Sequence, residues 1–248
     1  MLPYLADDQP LYGIQARGLD GRQAAFTSLE EMADHYTDLI VEHQPEGPYL
    51  LGGPSYGGLI AWAVAQRLQR RGAEIRLLAL LDAWAPGYPI KLPRRRRVAQ
   101  ALAARKDVLR DLRPGTLVGV ARAAIAASRD DEGYRQYDPM DRFGAEARDP
   151  QIQAMMSSTE SVYGIMQSFM DRYAPTPADF PVQLFRARPP TGWPGVRFDD
   201  PLNGWTRLCR RPPGVMYFDC DHHALLEEPM VRRVVRHLNY LIESAMDL

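Results

Sequence analysis

The sequence predicts an α/β protein built on a mostly parallel sheet flanked by helices, and three observations carry that expectation. Up to Asp82, strand-like and helix-like stretches alternate as β, α, β, α, β. The run "EIRLLALLD" (74–82) is almost continuously apolar, as suits a parallel strand covered on both faces. After a helix-prone middle, the rhythm resumes with "PVQLFRA" (181–187), "GVMYFD" (214–219) and a terminal helix.

The elements follow in order. "PLYGIQ" (10–15) is a short aromatic and β-branched run closed by the turn-rich "ARGLDG", and it predicts a first strand. Ser28 followed three residues later by Glu31 is a capping-box pattern. Behind it Leu29, Met32, Tyr36, Leu39 and Ile40 recur at helical spacing and predict one buried face. "PEGP" breaks that helix, and "YLLGG" predicts a brief buried strand. A helix from Gly58 to about Arg71 follows, with Gly72 suited to stop it. In the last helix Pro229 suits the first turn, and Met230, Val234, Leu238, Leu241 and Ile242 supply the apolar stripe. Residues 90–175 carry no convincing strand and predict a helical insertion over the sheet, within one domain spanning 1–248.

Bulk composition narrows the function. A chain of 248 residues, 46% apolar and 25% charged, suits one sizeable globular domain. A formal net charge of -1 gives no general attraction to nucleic acid. No window approaches 18 uninterrupted apolar residues, so no membrane span is predicted. Cys209 and Cys220 have no metal-ligand spacing and form no disulfide framework, which fits a reducing, cytoplasmic setting. The start "MLPYLADDQP" lacks the features of a signal peptide.

The chemistry concentrates at "LLGGPSYGGLIAW" (50–62). Gly53-x-Ser55-x-Gly57 sits where strand chemistry gives way to helix chemistry. Glycines two residues either side let a sharp turn close while the serine hydroxyl stays exposed. The pattern alone would arise by chance about one time in ten in a chain this long. Its strand-to-helix setting is what makes Ser55 a candidate nucleophile. The Tyr56 N–H, at the start of the following helix, is a candidate oxyanion donor.

A serine needs a base, and the base needs an orienting acid. Of five histidines, His222 and His223 follow the strand "GVMYFD" in "CDHHALLEEP", at the sheet edge where open α/β sheets place their sites. Asp82 ends the strand after the serine's helix and faces the same edge. Asp199 and Asp200, in a loop between the later strands, are its rivals.

Taken together, "PLYGIQARGLDG", "GPYLLGGPSYGGLIAWAVAQRL", "LLALLDAWAP", "PVQLFRA", Trp205-x-x-Leu208 and "CDHHALLEEP" resemble, in order, the α/β-hydrolase thioesterase domains that end nonribosomal peptide and polyketide assembly lines. The resemblance runs from about residue 3 to the C-terminus, with residues 90–175 in the place of the family's helical lid. It implies Ser55 as nucleophile, Asp82 as acid and His222 as base, with His223 on a variable position. The implied activity is release of an acyl, peptidyl or polyketide chain from a phosphopantetheinyl carrier protein, by hydrolysis or macrocyclisation through an acyl-enzyme. A free-standing editing thioesterase, or an inactive domain that only binds carriers, is the alternative.

No metal or diffusible cofactor is implied, because the phosphopantetheine belongs to the carrier. Two departures stand out. Pro54 replaces the aromatic or histidine more common before the serine. The family's opening strand and His-Pro-x-Gly-Gly-like loop, source of a second oxyanion N–H, should lie before residue 1, so the sequence is expected to be truncated there. Loss of one such donor costs about 2.7–4 kcal/mol in the transition state.

Two further patches remain. Met155, Met156, Met166 and Met170, with Ile165 and Phe169, are either lid-helix packing or a flexible apolar wall; Met155, Met166 and Phe169 are the candidate substrate contacts. Lys91 and Arg94 to Arg97 form a basic run, either a solvated face or a surface for a carrier's phosphate or acidic side chains.

Overall fold

The computed structural model describes residues 2–18, 23–93, 95–96, 168–170, 172–188 and 196–247. Helix α1 (Leu29–His43) begins where the cap pattern places it, with the Ser28 hydroxyl accepting the Glu31 N–H at 3.0 Å. The return bond is shifted by one residue, because the Glu31 carboxylate accepts from the N–H and hydroxyl of Thr27. Leu29, Met32 and Tyr36 are buried as the spacing predicts, joined by Ala33 and Thr37, whereas Leu39 is 38% exposed. Thr37 is tolerated in the core because its hydroxyl donates to the Ala33 carbonyl one turn back.

Strand β1 (Tyr49–Pro54) leads through Ser55 into helix α2 (Tyr56–Arg70), which Gly72 ends at φ +85. Then come strands β2 (Ile75–Leu81), β3 (Ile90–Lys91), β4 (Val182–Arg186), β5 (Val196–Arg197) and β6 (Gly214–Tyr217), and helix α3 (Met230–Met246). The main sheet has the order β1-β2-β4-β6 and is parallel throughout. Register aligns the strands' C-terminal ends: Pro54 lies opposite Leu81, Leu81 opposite Phe185, and Arg186 opposite Tyr217.

The apolar run in β2 is explained by burial on both faces. Ile75, Leu78 and Leu80 enter the cluster beneath α1 and α2, centred on Trp62 and Trp205. Leu77, Ala79 and Leu81 enter the opposite cluster with Phe185 and the Val234 and Leu238 face of α3. From Leu77 onward alternation along a pleated strand accounts for the split, and Ile75 lies before the register irregularity between Tyr49 and Leu50 of the paired strand.

The expected strand at 10–15 is not formed. Leu11, Tyr12 and Ile14 are 49%, 66% and 41% exposed, and the segment pairs with no described strand. β-propensity has no effect without a partner ladder to supply the hydrogen bonds.

By Cα proximity the chain separates into two compact units. One comprises residues 1–88, 154–189 and 200–248 and holds the parallel sheet; the other comprises 89–153 and 190–199. In the second, β3 and β5 form a short antiparallel ladder with Ile90 opposite Arg197. Most of the insertion expected over 90–175 lies outside the described residues.

The two-faced burial of β2 sets an expected outcome. Leu80→Ala, at a fully buried position, should cost about 2–5 kcal/mol in denaturant unfolding. Leu39→Ala, on the exposed side of α1, should stay within about 0.5 kcal/mol.

Candidate active site

Ser55 occupies the turn between β1 and α2 with φ 50 and ψ -124, a region that L residues rarely adopt. The turn holds because its neighbours are glycines. A Cβ on Gly53 would stand 2.3 Å from the Gly57 carbonyl carbon, and one on Gly58 would stand 2.4 Å from Ala83 Cβ. The Ser55 N–H is tied to the Leu81 carbonyl at 2.9 Å, which joins the turn to the end of β2. The serine side chain makes no cap bond to its own helix, so its hydroxyl remains available. The Tyr56 N–H is at the first position of α2, where no intrahelical acceptor exists, and the helix dipole adds positive potential there. The Tyr56 phenol lies apart from this chemistry: burial, then Glu30 and Tyr36, push its pKa up and keep it protonated.

Asp82 directly follows β2 and is 5% exposed, with φ 48. One carboxylate oxygen, Oδ1, accepts the Ala187 N–H at 3.1 Å and the Asn203 side-chain amide at 3.1 Å. The other, Oδ2, lies 2.7 Å from His222 Nδ1. Since a carboxylate oxygen accepts, the imidazole donates from Nδ1, and in the neutral ring this tautomer puts the lone pair on Nε2. The Trp84 ring stands 6.2 Å from that of His222 at 46°.

The His222 loop has its own support. Asp221 Oδ1 accepts the N–H groups of His223 and Ala224, each at 2.9 Å. Leu225, in the short 3-10 turn that follows, is buried beside α3. The Ala224 N–H, then the His223 N–H, hold the Asp221 pKa below its ordinary value.

Asp82 and His222 are therefore in contact, and Ser55 leaves the same sheet edge. No hydrogen bond joins the Ser55 hydroxyl to His222 among the described residues. The rival acids are otherwise engaged: Asp199 pairs with Arg197 at 2.7 Å, and Asp200 Oδ1 accepts from the Leu202 N–H and the Thr206 hydroxyl. Burial, then Asp221, Asp82 and Asp219, raise the thiol pKa of Cys220, two residues before His222. Cys209 is pushed up to about 11 by burial.

Of the candidate substrate contacts, Phe169 is 3% exposed and packed in the core beneath α1 and α2, while Met155 and Met166 lie outside the described residues. In the basic run Lys91, Arg95 and Arg96 are exposed, and Arg94 and Arg97 lie outside the described residues. Among the described residues no group of three acidic, histidine or cysteine side chains could hold a metal ion, and no helix is long and apolar enough to cross a membrane.

Sequence reasoning missed Asn203, the Ala187 N–H and Trp84. The dipeptide Asn203-Gly204 is a turn signal, but nothing local indicates that the turn folds onto Asp82.

A parallel sheet with flanking helices, and a serine on the turn from strand to helix, place this chain in the α/β-hydrolase fold class. Residues 3–242 match the model of the thioesterase domain, and the chain belongs to that family. It is 47% identical over 85 residues to malpibaldin synthetase of Mortierella alpina, covering 34% of this chain and 2% of that protein. It is 26% identical over 251 residues to an inactive atromentin synthetase of Paxillus involutus, covering 97% of this chain and 25% of that protein. The chain thus spans a quarter or less of these curated relatives. Among solved structures it is similar to the RedJ thioesterase of the prodiginine pathway in Streptomyces coelicolor, with TM-score 0.57, 22% identity, 93% of this chain and 74% of the other. It is also similar to a four-domain nonribosomal peptide synthetase, with TM-score 0.62, 22% identity, 96% of this chain and 18% of the other.

Two outcomes follow from this geometry. Gly53→Ala should abolish reaction of Ser55 with an active-site probe, because a Cβ has no room against the Gly57 backbone. Asp221 has a folded pKa below its unfolded one, so its support of the loop is complete above about pH 4 and is lost as pH falls through the lowered value. In an NMR titration the Asp221 carboxylate carbon should show a midpoint below that of an ordinary aspartate. A midpoint at or above the ordinary value would contradict the assignment.

Proposed function

We propose that this domain is a serine thioesterase that releases an acyl, peptidyl or polyketide chain from the phosphopantetheine arm of a carrier protein. The observation that carries the reading is the 2.7 Å contact between His222 Nδ1 and the buried Asp82 carboxylate, at the sheet edge where Ser55 turns out of β1. Family membership supplies the thioester bond as the point of attack. Similarity to synthases, among them malpibaldin synthetase and the polyketide synthase PksR of Bacillus subtilis, supports a carrier as the partner.

With Nδ1–H held by Asp82, His222 Nε2 takes the proton of the Ser55 hydroxyl as Oγ attacks the thioester carbonyl carbon. Negative charge gathers on the carbonyl oxygen, where the Tyr56 N–H and the N-terminus of α2 stabilise it. The C–S bond breaks, and the departing thiolate takes the proton from Nε2. The acyl chain is left as an ester on Ser55. Water, or a nucleophile within the acyl chain itself, then attacks the ester with His222 again accepting a proton. The bond from the acyl carbon to Oγ breaks, Oγ takes that proton from Nε2, and the product leaves as an acid or a macrocycle. The route uses no metal or diffusible cofactor, since the phosphopantetheine belongs to the carrier. Both described thiols are free, which fits action in a reducing cytoplasm.

A fluorophosphonate probe tests the nucleophile. It should attach to the peptide containing Ser55, and Ser55→Ala should remove labelling and lower turnover of a carrier-mimic thioester by more than about a thousandfold. Labelling that persists in Ser55→Ala would overturn the reading. Mass spectrometry of products from a panel of such thioesters separates hydrolysis from cyclisation.

A further inference from the structure

Among the described residues, three that are not glycine have positive φ: Ser55 at 50, Asp82 at 48 and Asn203 at 52. Residues held in such conformations persist where their surroundings over-determine them, and they cluster at functional sites. The first two are the nucleophile and acid proposed above. The third is bonded to the acid.

Asn203 is 2% exposed. Its side-chain amide donates to Asp82 Oδ1 at 3.1 Å, while its carbonyl accepts the Ala85 N–H at 2.9 Å. Two residues on, the Trp205 indole N–H donates to the Ala83 carbonyl at 2.9 Å. Between them Gly204, at φ +85, passes so close that a Cβ would stand 2.7 Å from Tyr88 Cβ. Asn203 and Trp205 thus grip residues 82–85 through three hydrogen bonds. Asp200 stabilises the approach by accepting the Leu202 N–H at 2.7 Å.

We infer that Asn203 is a positioning residue for the reaction: its amide, with the Ala187 N–H, fixes the plane of the Asp82 carboxylate so that Oδ2 alone is presented to His222 Nδ1. The inference rests on the roles given above to Ser55, Asp82 and His222. The physical reason is the division of the carboxylate. Two donors occupy Oδ1, so rotation about the Cβ–Cγ bond would break both, and the imidazole meets one fixed acceptor. Asparagine suits the position twice over, since it tolerates positive φ better than most residues and carries a donor of the right length.

The test uses variants that separate backbone from donor. Asn203→Gly accepts the same φ and deletes the amide; Asn203→Asp keeps the shape and replaces the donor with an acceptor facing Asp82. Both should lower kcat for a carrier-mimic thioester by about ten- to hundredfold, the factor expected for losing a hydrogen bond to a charged group, and leave KM nearly unchanged. Fluorophosphonate labelling should slow in parallel. The NMR signal of the His222 Nδ1 proton should broaden or shift, which a fault elsewhere in the fold would not single out.

Wild-type kcat and an unmoved Nδ1 proton signal in folded variants would overturn the inference while leaving the Ser55 assignment intact. Failure of the wild-type protein to label at Ser55 would instead remove the reading on which it rests. If neither variant folds, the wild-type Asn203 side-chain amide decides. Its proton signals should move when phosphonylation of Ser55 alters the hydrogen bonding of His222 Nε2 while Nδ1 stays on Asp82, and signals that stay in place would overturn the inference.

Discussion

The Asp82 carboxylate is the point at which separate stretches of this chain meet, and the site depends on how it is held. It accepts from Ala187 just beyond β4, from Asn203 in the loop before β6, and from His222 beyond β6, while its own residue directly follows β2. A buried carboxylate with unmet acceptors would be costly. Here every partner comes from another segment, so satisfying the charge and assembling the site are one event. Strand register makes this possible. Because β1, β2, β4 and β6 run parallel and their C-terminal ends align, the residues that follow them emerge on one rim.

That register in turn depends on the burial of β2 on both faces. Its odd-numbered residues from Leu77 face the α3 side and its even-numbered residues from Leu78 face α1 and α2. A shift by one residue would exchange the two sets and turn Asp82 away from its donors. Close backbone approach at Gly53 and Gly58 then brings α2 against β1 and the residues after β2. The result is a serine and an acid in strained backbone at neighbouring strand ends, held by packing that neither residue supplies.

Much of this was legible in the sequence, for reasons that differ by residue. The β2 run was visible because two-sided burial leaves an unbroken apolar string, and the start of α1 because Ser28 and Glu31 act within one turn. The Gly53-x-Ser55-x-Gly57 pattern could be read because the crowding that Gly53 relieves, against the Gly57 backbone, is local. Asp82 and the His222–His223 pair were placed by the rule that sites in parallel sheets gather at one edge, and the family resemblance singled out His222. The strand expected at 10–15 failed because pairing is a property of two segments, and propensity describes one. Leu39 was misplaced because helical spacing fixes a stripe but not its width. Asn203 was missed because its partner lies 121 residues away in sequence, and a turn signal says nothing about what the turn touches.

The most direct measurement is a crystal structure of the fluorophosphonate-treated protein. The account requires phosphorus bonded to Ser55 Oγ, His222 Nε2 within hydrogen-bonding distance of that oxygen, and Nδ1 still on Asp82. Phosphorus on another side chain, or an imidazole that has left Asp82 and faces away from residue 55, would contradict it.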